Sequence, residues 1–392
     1  LLSCVVLVMA SILLSTSYSA GIADYGVETD NRLTAQLQLP PSSFNIRRGT
    51  EFEYADRLKR AAFYYALKDE LESQPSIQAV AMMTELPGRG GGTSFYEIEG
   101  RAAEFYNENP YSNNEGVAKD SWRALGMRII QGRDFDHRDV GEDIYSIIIN
   151  ESIAKEFFPE GDAVGQRVRR ANRGGTGNWN TIVGVVSDTF HGSTMRSSST
   201  SYNSYHIMDN WGLFRINIAL HYSGSLVEAQ KTLTQAVNKV NAEVGIDHGQ
   251  SYDNLIKQPM MLVVAVSKVF LLSGIIAAFL AASGIYAVAP NSISQRTQEI
   301  GVRRALGSSD AGIMRLFILQ ASRQLGVGLT IGIGLSIWLV NFMSETMIIS
   351  DLSYILGMLG MPLLIAFMVL LATYIPTQKV VLMEPSEALH HD

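Results

Sequence analysis

Four uncharged apolar runs, residues 1–20, 269–289, 325–343 and 352–375, constrain this chain more than any other feature. A hydrocarbon core of ~30 Å is crossed by about 20 helical residues at ~1.5 Å rise each. Within lipid an unpaired backbone group costs several kcal/mol, so exposed strands or loops are excluded and helices remain. The run 1–20 also has the small residues of a signal-peptide cleavage site at 15–20, but no basic stretch precedes it. It is read as a membrane helix. The chain does not begin with Met and is read as opening inside a longer protein.

Charge gives the orientation. Residues 290–324 carry Arg296, Arg303, Arg304, Arg315 and Arg323 against Glu299 and Asp310, whereas residues 344–351 carry Glu345 and Asp351 and no basic residue. The arginine-rich loop is therefore cytoplasmic and the short acidic one is outside. Counting back across the second helix puts residues 24–257 outside. That region holds 24 of the 31 Lys and Arg and 31 of the 38 Asp and Glu, a net of −7. An acidic polar region disfavours nucleic acid as a partner, because phosphate binding needs excess basic charge. The single cysteine, Cys4, permits neither an intrachain disulfide nor a Cys-based zinc site. Glycines in the second and third helices, including Gly328 and Gly332 in GxxxG spacing, suit close helix approach, though the same face would serve equally against lipid.

The outside region reads as α+β. An amphipathic helix is expected over 52–73, closed by Pro75, and strands over 77–84, 95–99, 146–150, 180–186 and 214–220. Asn150 is expected to cap a helix over 151–158, and Ser225 a helix reaching about residue 243. Residues 172–178 and 193–204 read as polar loops. The expected architecture is an α+β extracytoplasmic domain inserted between the first and second of four transmembrane α-helices. Its divisions are 1–23, 24–257 and 258–392.

No catalytic constellation stands out. GxxxxGK[ST] is absent, so a phosphate-cradling loop of that kind is missing from these residues. Asp134, Asp136, Asp139 and Asp143 near His137 lack EF-hand spacing and read as a solvated turn. His191, His206, His221 and His248 show no paired ligand spacing and read as surface or hydrogen-bonded histidines. Asn150-Glu151-Ser152 fits a glycosylation sequon, but Asn150 already has its capping role. No metal and no cofactor are expected. The four spans contain no Asp or Glu that would mark an ion or proton path.

The segment after the second helix is the most informative: SISQRTQEIGVRRALGSSDAGIMR, residues 292–315. Ile300, Val302 and Leu306 are apolar, and Arg296, Glu299, Arg303 and Arg304 make a polar face. An interfacial helix against anionic lipid and a lateral helix gripped by a cytoplasmic partner fit equally well. Gly307-Ser308-Ser309-Asp310 reads as a helix stop followed by a new N-cap. Pro290 is either a hinge or the end of the second helix, and the helix end is the preferred reading.

QRTQEIGVRRALGSS, preceded by GIYAVAPNSIS, resembles the signature of the MacB/FtsX-type ABC transporter permeases. RALGMRIIQGRDFDHRD, IINESIAKEFFPEGDAVGQRVR and TIVGVVSDT are similar to that family's periplasmic core domain, and LTAQLQLP, ELESQPSIQAVAMMTELPG and EPSEALHHD also fit. The order of helix, outside domain, three helices and tail is similar to one half of a duplicated permease, here its C-terminal half. The tail, Thr377-Gln378-Lys379-Val380-Val381, departs from the family's arginines. The resemblance implies a bacterial inner-membrane permease that is not itself an enzyme. A separate cytoplasmic ATPase dimer would move it for export or mechanotransmission, with a second permease copy, membrane lipid and a periplasmic protein as further partners. Gln295, Arg296, Glu299, Ile300, Arg303, Arg304, Leu306 and Gly307 would then form the coupling segment. The competing expectation is a membrane-anchored receptor whose outside domain holds a ligand without any ATPase.

Overall fold

The computed structural model describes residues 1–44, 54–101, 111–172, 175–191, 202–211, 215–294, 308–344, 349 and 351–381. They divide into a membrane unit, Leu1–Gly21 with Met260–Asp392, and a core unit, Ile22–Pro259.

The core unit has two β layers, joined by the pairing of Met83 with Val117. The first is a four-stranded antiparallel sheet in the order β2–β11–β1–β12, formed by Ile77–Met83, Arg215–Tyr222, Arg32–Gln38 and Gly245–Ser251. Helices α2 (Tyr54–Glu72) and α5 (Leu226–Val240) cover one face, burying Leu33, Leu37, Leu67, Val80, Met82, Ile218, Leu233 and Val237 together. The alternate residues Ala79, Ala81, Met83 and Ala219 face a second cluster around Trp122, Leu125, Tyr205 and Tyr252. Both faces of the sheet are buried, so β2 reads as a continuous apolar run. Ser225 begins α5 with a capping box: its side chain accepts from Glu228 N, and the Glu228 carboxylate accepts from Ser225 N.

The second layer closes on itself. Strand β4 (Tyr111–Val117) pairs antiparallel with β3 (Gly92–Ile98), β3 with β7 (Arg167–Asn172), and β7 with β9 (Asn180–Val186). Strand β9 pairs parallel with β6 (Ser146–Asn150), β6 antiparallel with β10 (Asn203–Ile207), and β10 parallel with β4. These pairings join six strands in a closed circuit. One end of its interior is apolar, with Ile98, Val168, Ile182, Ile149 and, from α3 (Glu151–Phe157), Ile153 in one cluster. Asn150 caps α3 by accepting from Ile153 N, and α3 ends one residue before its expected limit.

Several strands were not visible to hydropathy. Strand β4 is YSNNEGV, yet Ser112, Asn113, Asn114 and Glu115 are all buried, because the circuit supplies polar partners. Strand β7 carries Arg167 and Arg169, which pair with Glu99 and Glu97 across the β3 ladder. The expected loop 172–178 contains the end of β7 and a short strand β8 (Gly175–Thr176), and Asn203 and Ser204 of the expected loop 193–204 belong to β10. Residues 173–174 and 192–201 lie outside the described residues.

Among the described residues, four helices are long and apolar enough to cross a bilayer. The first, α1 (Leu2–Gly21), is the one the others surround: 50% of its apolar window is buried, against 17% for each of the other three. Glycines let those helices approach it. A Cβ on Gly274 of α6 (Tyr252–Ser294) would stand 2.7 Å from the Leu7 side chain, and one on Gly332 of α7 (Asp310–Ser344) 3.1 Å from Cys4 Cβ. The fourth crossing comprises α8 (Asp351–Ile355), a π-helical turn Leu356–Gly360 and α9 (Met361–Val381). Gly357 of that turn lies against Ile12, and Ser353 Oγ donates to Ser15 Oγ at 2.8 Å. Of the two GxxxG glycines only Gly332 has a neighbour at its Cβ position; Gly328 faces open space.

Candidate functional site

The eight residues of the expected coupling segment, Gln295, Arg296, Glu299, Ile300, Arg303, Arg304, Leu306 and Gly307, lie outside the described residues. Both borders of the segment are described. Helix α6 reaches Ser294, so Pro290 does not end it, contrary to the preferred reading. Proline inside a membrane helix removes one backbone bond, and such helices re-satisfy the freed carbonyl locally. On the other border Ser309 begins α7 as expected: its carbonyl accepts from Gly312 N at 2.9 Å and its Oγ from the same group at 3.3 Å.

The opposite end of α6 is fixed in the core unit. Tyr252 is fully buried and its OH donates to the Pro87 carbonyl at 3.0 Å, while Leu255 and Ile256 are buried beside it. Gly88 has φ +87°, and a Cβ there would meet Ile256 Cγ1 at 2.8 Å. The glycine run 88–92 is thus a turn that must both adopt a left-handed backbone and accept a helix at close range. That run was legible as a turn; its attachment to Tyr252 was not, because the two are 165 residues apart.

Behind this turn lies the pair Glu115 and His191, both 0% exposed. Glu115 Oε2 accepts from Thr84 Oγ1 (2.5 Å) and Glu85 N (2.9 Å). Glu115 Oε1 and both ring nitrogens of His191 have no hydrogen-bond partner among the described residues, and the Oε1 to Nδ1 distance is 3.7 Å. Burial pushes the Glu115 carboxyl up to about 8 and holds the His191 imidazole down to about 3. Desolvating a carboxylate and an imidazolium together outweighs their attraction at this distance, so both groups are neutral near pH 7. Gly91 leaves the room that Glu115 Oε1 occupies.

The remaining polar candidates have structural roles. Asp139 is buried rather than solvated: it accepts from Arg133 Nη1 (2.6 Å) and Nη2 (3.0 Å), and Asp136 caps the 3-10 turn His137–Asp139. Asp134 accepts from Trp122 Nε1 at 2.7 Å. His206 is hydrogen-bonded, to Tyr96 OH at 3.0 Å, but His191 is neither at the surface nor satisfied. Asn150 is fully buried, with Nδ2 donating to Asp188 at 2.6 Å and Oδ1 accepting from Asn203 N at 3.1 Å, so it is closed to glycosylation. No group of three His, Cys, Asp or Glu able to hold a metal occurs among the described residues.

Comparison with known families and proteins agrees with the order of these parts. The MacB-like periplasmic core domain family matches residues 2–244, and the FtsX-like permease C-terminal family matches residues 271–381. The macrolide export ATP-binding/permease protein MacB of Neisseria meningitidis is 23% identical over 252 residues, covering 63% of this chain and 37% of that protein. Its namesake from Mannheimia succiniciproducens is 24% identical over 297 residues, covering 71% and 43%. The chain therefore spans less than half the length of these curated relatives. Among solved structures, the periplasmic region of MacB from Actinobacillus actinomycetemcomitans is similar at 18% identity and a TM-score of 0.36, over 60% of this chain and 94% of that one. The extracellular domain of the ABC-type transporter YknZ is similar at 12% identity and a TM-score of 0.33, over 55% and 100%. With the core-domain family covering more than half of its residues, the chain belongs to the MacB/FtsX family of ABC transporter permeases, as a multi-pass membrane protein with a periplasmic domain.

Proposed function

We propose that this permease converts ATP hydrolysis in the cytoplasm into movement of its periplasmic domain, for export or mechanotransmission. The hydrolysing unit is an ABC ATPase dimer outside these 392 residues, acting on two permease copies. It grips residues 295–307, with Glu299, Arg303 and Arg304 as the principal contacts. The curated relatives are named as ATP-binding/permease proteins, which supports pairing permease with ATPase.

One observation carries the reading. Helix α6 is continuous over 43 residues, about 64 Å at ~1.5 Å per residue, more than twice the ~30 Å hydrocarbon thickness. It begins at Tyr252, tied to Pro87 of the core unit, and ends at Ser294, where the proposed coupling segment starts. A push at its cytoplasmic end has a continuous helix to travel along, although Pro259 and Pro290 each remove a backbone bond from its ladder. The chain's own residues offer no proton or ion route as an alternative source of work, since the apolar parts of the four spans lack Asp and Glu.

The test is reconstitution of the permease with its ATPase and substitution of both arginines, Arg303→Glu and Arg304→Glu. Reversing two charges at the contact is expected to abolish permease-stimulated ATP turnover while the ATPase alone keeps its basal rate. Unchanged stimulation in the double variant would remove the assignment. Affinity capture that recovers no nucleotide-binding protein would favour the receptor reading instead.

A further inference from the structure

The turn at residues 86–92 is gripped from three directions within the core unit. It carries the start of α6, since the Pro87 carbonyl accepts from Tyr252 OH and Gly88 lies against the Ile256 side chain. It is tied to the segment that ends in His191: Gly88 N donates to the Phe190 carbonyl at 2.8 Å, and Phe190 N to the Tyr25 carbonyl at 3.0 Å. Its Gly91 walls in Glu115, because a side chain at that position would overlap Oε1. Five residues of backbone, 87–91, thus connect a buried carboxyl, a buried imidazole and the seat of a helix.

The surroundings of Glu115 suit a neutral acid and not a carboxylate. Oε2 is spent on Thr84 Oγ1 and Glu85 N, while Oε1 and both ring nitrogens of His191 meet no hydrogen-bond partner among the described residues. The titratable groups that face the pair are Glu85, which follows β2, Tyr205 of β10, with its ring centroid 6.1 Å from that of His191, and Tyr252 of α6, which acts on Tyr205. Asp188, from the same segment as His191, also acts on Tyr205. The nearby cations Arg89 and Arg215 act on Glu85, and none of the charged groups acting on Glu115 is cationic. Ionised in place, Glu115 would be a buried charge with neither a counter-ion nor water. Gly91 is the wall against Oε1, so moving the turn is what would admit water.

We propose that Glu115 and His191 form a pH-sensitive latch on the seat of α6, closed while both groups are neutral and opened by displacement of the 86–92 turn when Glu115 ionises. Opening lets water reach both groups and restores their ordinary values, 4.5 and 6.5. Closed, Glu115 keeps its proton up to about 8, so opening releases a proton between 4.5 and 8. His191, held to about 3 when closed, takes one up on opening between 3 and 6.5. From 4.5 to 6.5 the two effects cancel. Above 6.5 the release alone remains, so the opening constant rises about tenfold from pH 6 to pH 8 and then levels off. The latch belongs to the permease by itself and does not rest on the ATPase assignment.

The test is amide hydrogen exchange of the full chain in detergent from pH 5 to pH 9, with rates divided by those of the unstructured peptide at each pH. Protection of residues 86–92 and 252–258 should be level up to about pH 6.5, fall about tenfold by pH 8 and stay below that of the central β11 amides throughout. Glu115→Gln should remove the fall, and His191→Gln should extend it down to about pH 5, because the opposing proton uptake is gone. A merely structural role for either residue would shift protection equally at every pH. Glu85→Gln should keep the fall. Unfolding temperatures check that the variants fold; if Glu115→Gln does not, His191→Gln decides, and a fall that still begins at 6.5 in it rejects the latch. The proposal is also overturned by protection that ignores pH in the parent protein, by a fall that persists in Glu115→Gln or vanishes in Glu85→Gln, or by equal protection of the turn and β11, which would assign the change to unfolding of the whole core unit.

Discussion

Glu115 and His191 make the core unit sensitive to pH in a way that can be signed. The folded state keeps the Glu115 proton up to about pH 8, whereas an unfolded carboxyl releases it near 4.5, so between those values folding takes up a proton and stability falls as pH rises. His191 and His206, both held to about 3 when folded, act oppositely: from there to 6.5 the unfolded chain binds more protons and stability rises with pH. Below 6.5 the two histidines outweigh the one carboxyl. Between 6.5 and 8 only the carboxyl slope remains. Thermal unfolding should therefore peak near pH 6.5 and decline toward pH 8, and Glu115→Gln should flatten the decline and steepen the rise between about 4.5 and 6.5. A variant that still declines would assign the slope elsewhere. Nothing in the sequence singles out either residue: Glu115 sits in a polar stretch, YSNNEGV, and His191 beside a serine-rich one. Their burial follows from strand pairings between residues far apart in the chain.

At the scale of elements, capping chemistry was legible and strand pairing much less so. Asn150 and Ser225 stand at their helix N-termini with the expected side-chain bonds, because a cap is decided within four residues. Strands β4, β7 and β12 went unread because alternation of hydropathy is the usual strand signal. In β4 the buried side chains are themselves polar, Ser112, Asn113, Asn114 and Glu115, and in β7 and β12 the inward aliphatics Val168 and Ile246 stand among charged and polar neighbours. The membrane helices reverse this, since apolar length alone reveals them, but which helix lies innermost depends on glycines whose neighbours are remote. Gly357→Leu should cost about 1–3 kcal/mol by driving a side chain into Ile12 and the Val8 carbonyl. Gly334→Leu, with nothing within 4 Å of its Cβ position, should be neutral or slightly stabilising. Unfolding temperatures of the two variants in detergent separate the cases. Equal effects would mean that α1 is not the packing centre.

For the whole molecule, the charge asymmetry of the loops and the family membership agree on a periplasmic core unit and a cytoplasmic arginine segment. Cys4 is the only cysteine and is buried, so Ser308→Cys adds one exposed thiol at the edge of that segment. A membrane-impermeant maleimide should reach it only after the inner face is opened; labelling of intact cells would invert the topology. The coupling role proposed for residues 295–307 rests on resemblance, and those residues lie outside the described ones. The central position of α1 bears on biogenesis. It precedes the other three in the chain, so during synthesis it waits in the bilayer while the entire periplasmic portion is translocated. The surface it turns to those three, including the Thr16 and Ser17 hydroxyls that have no hydrogen-bond partner among the described residues, is covered only when they arrive. Helix α1 can therefore be enclosed by α6, α7 and the fourth crossing only after all three have been inserted.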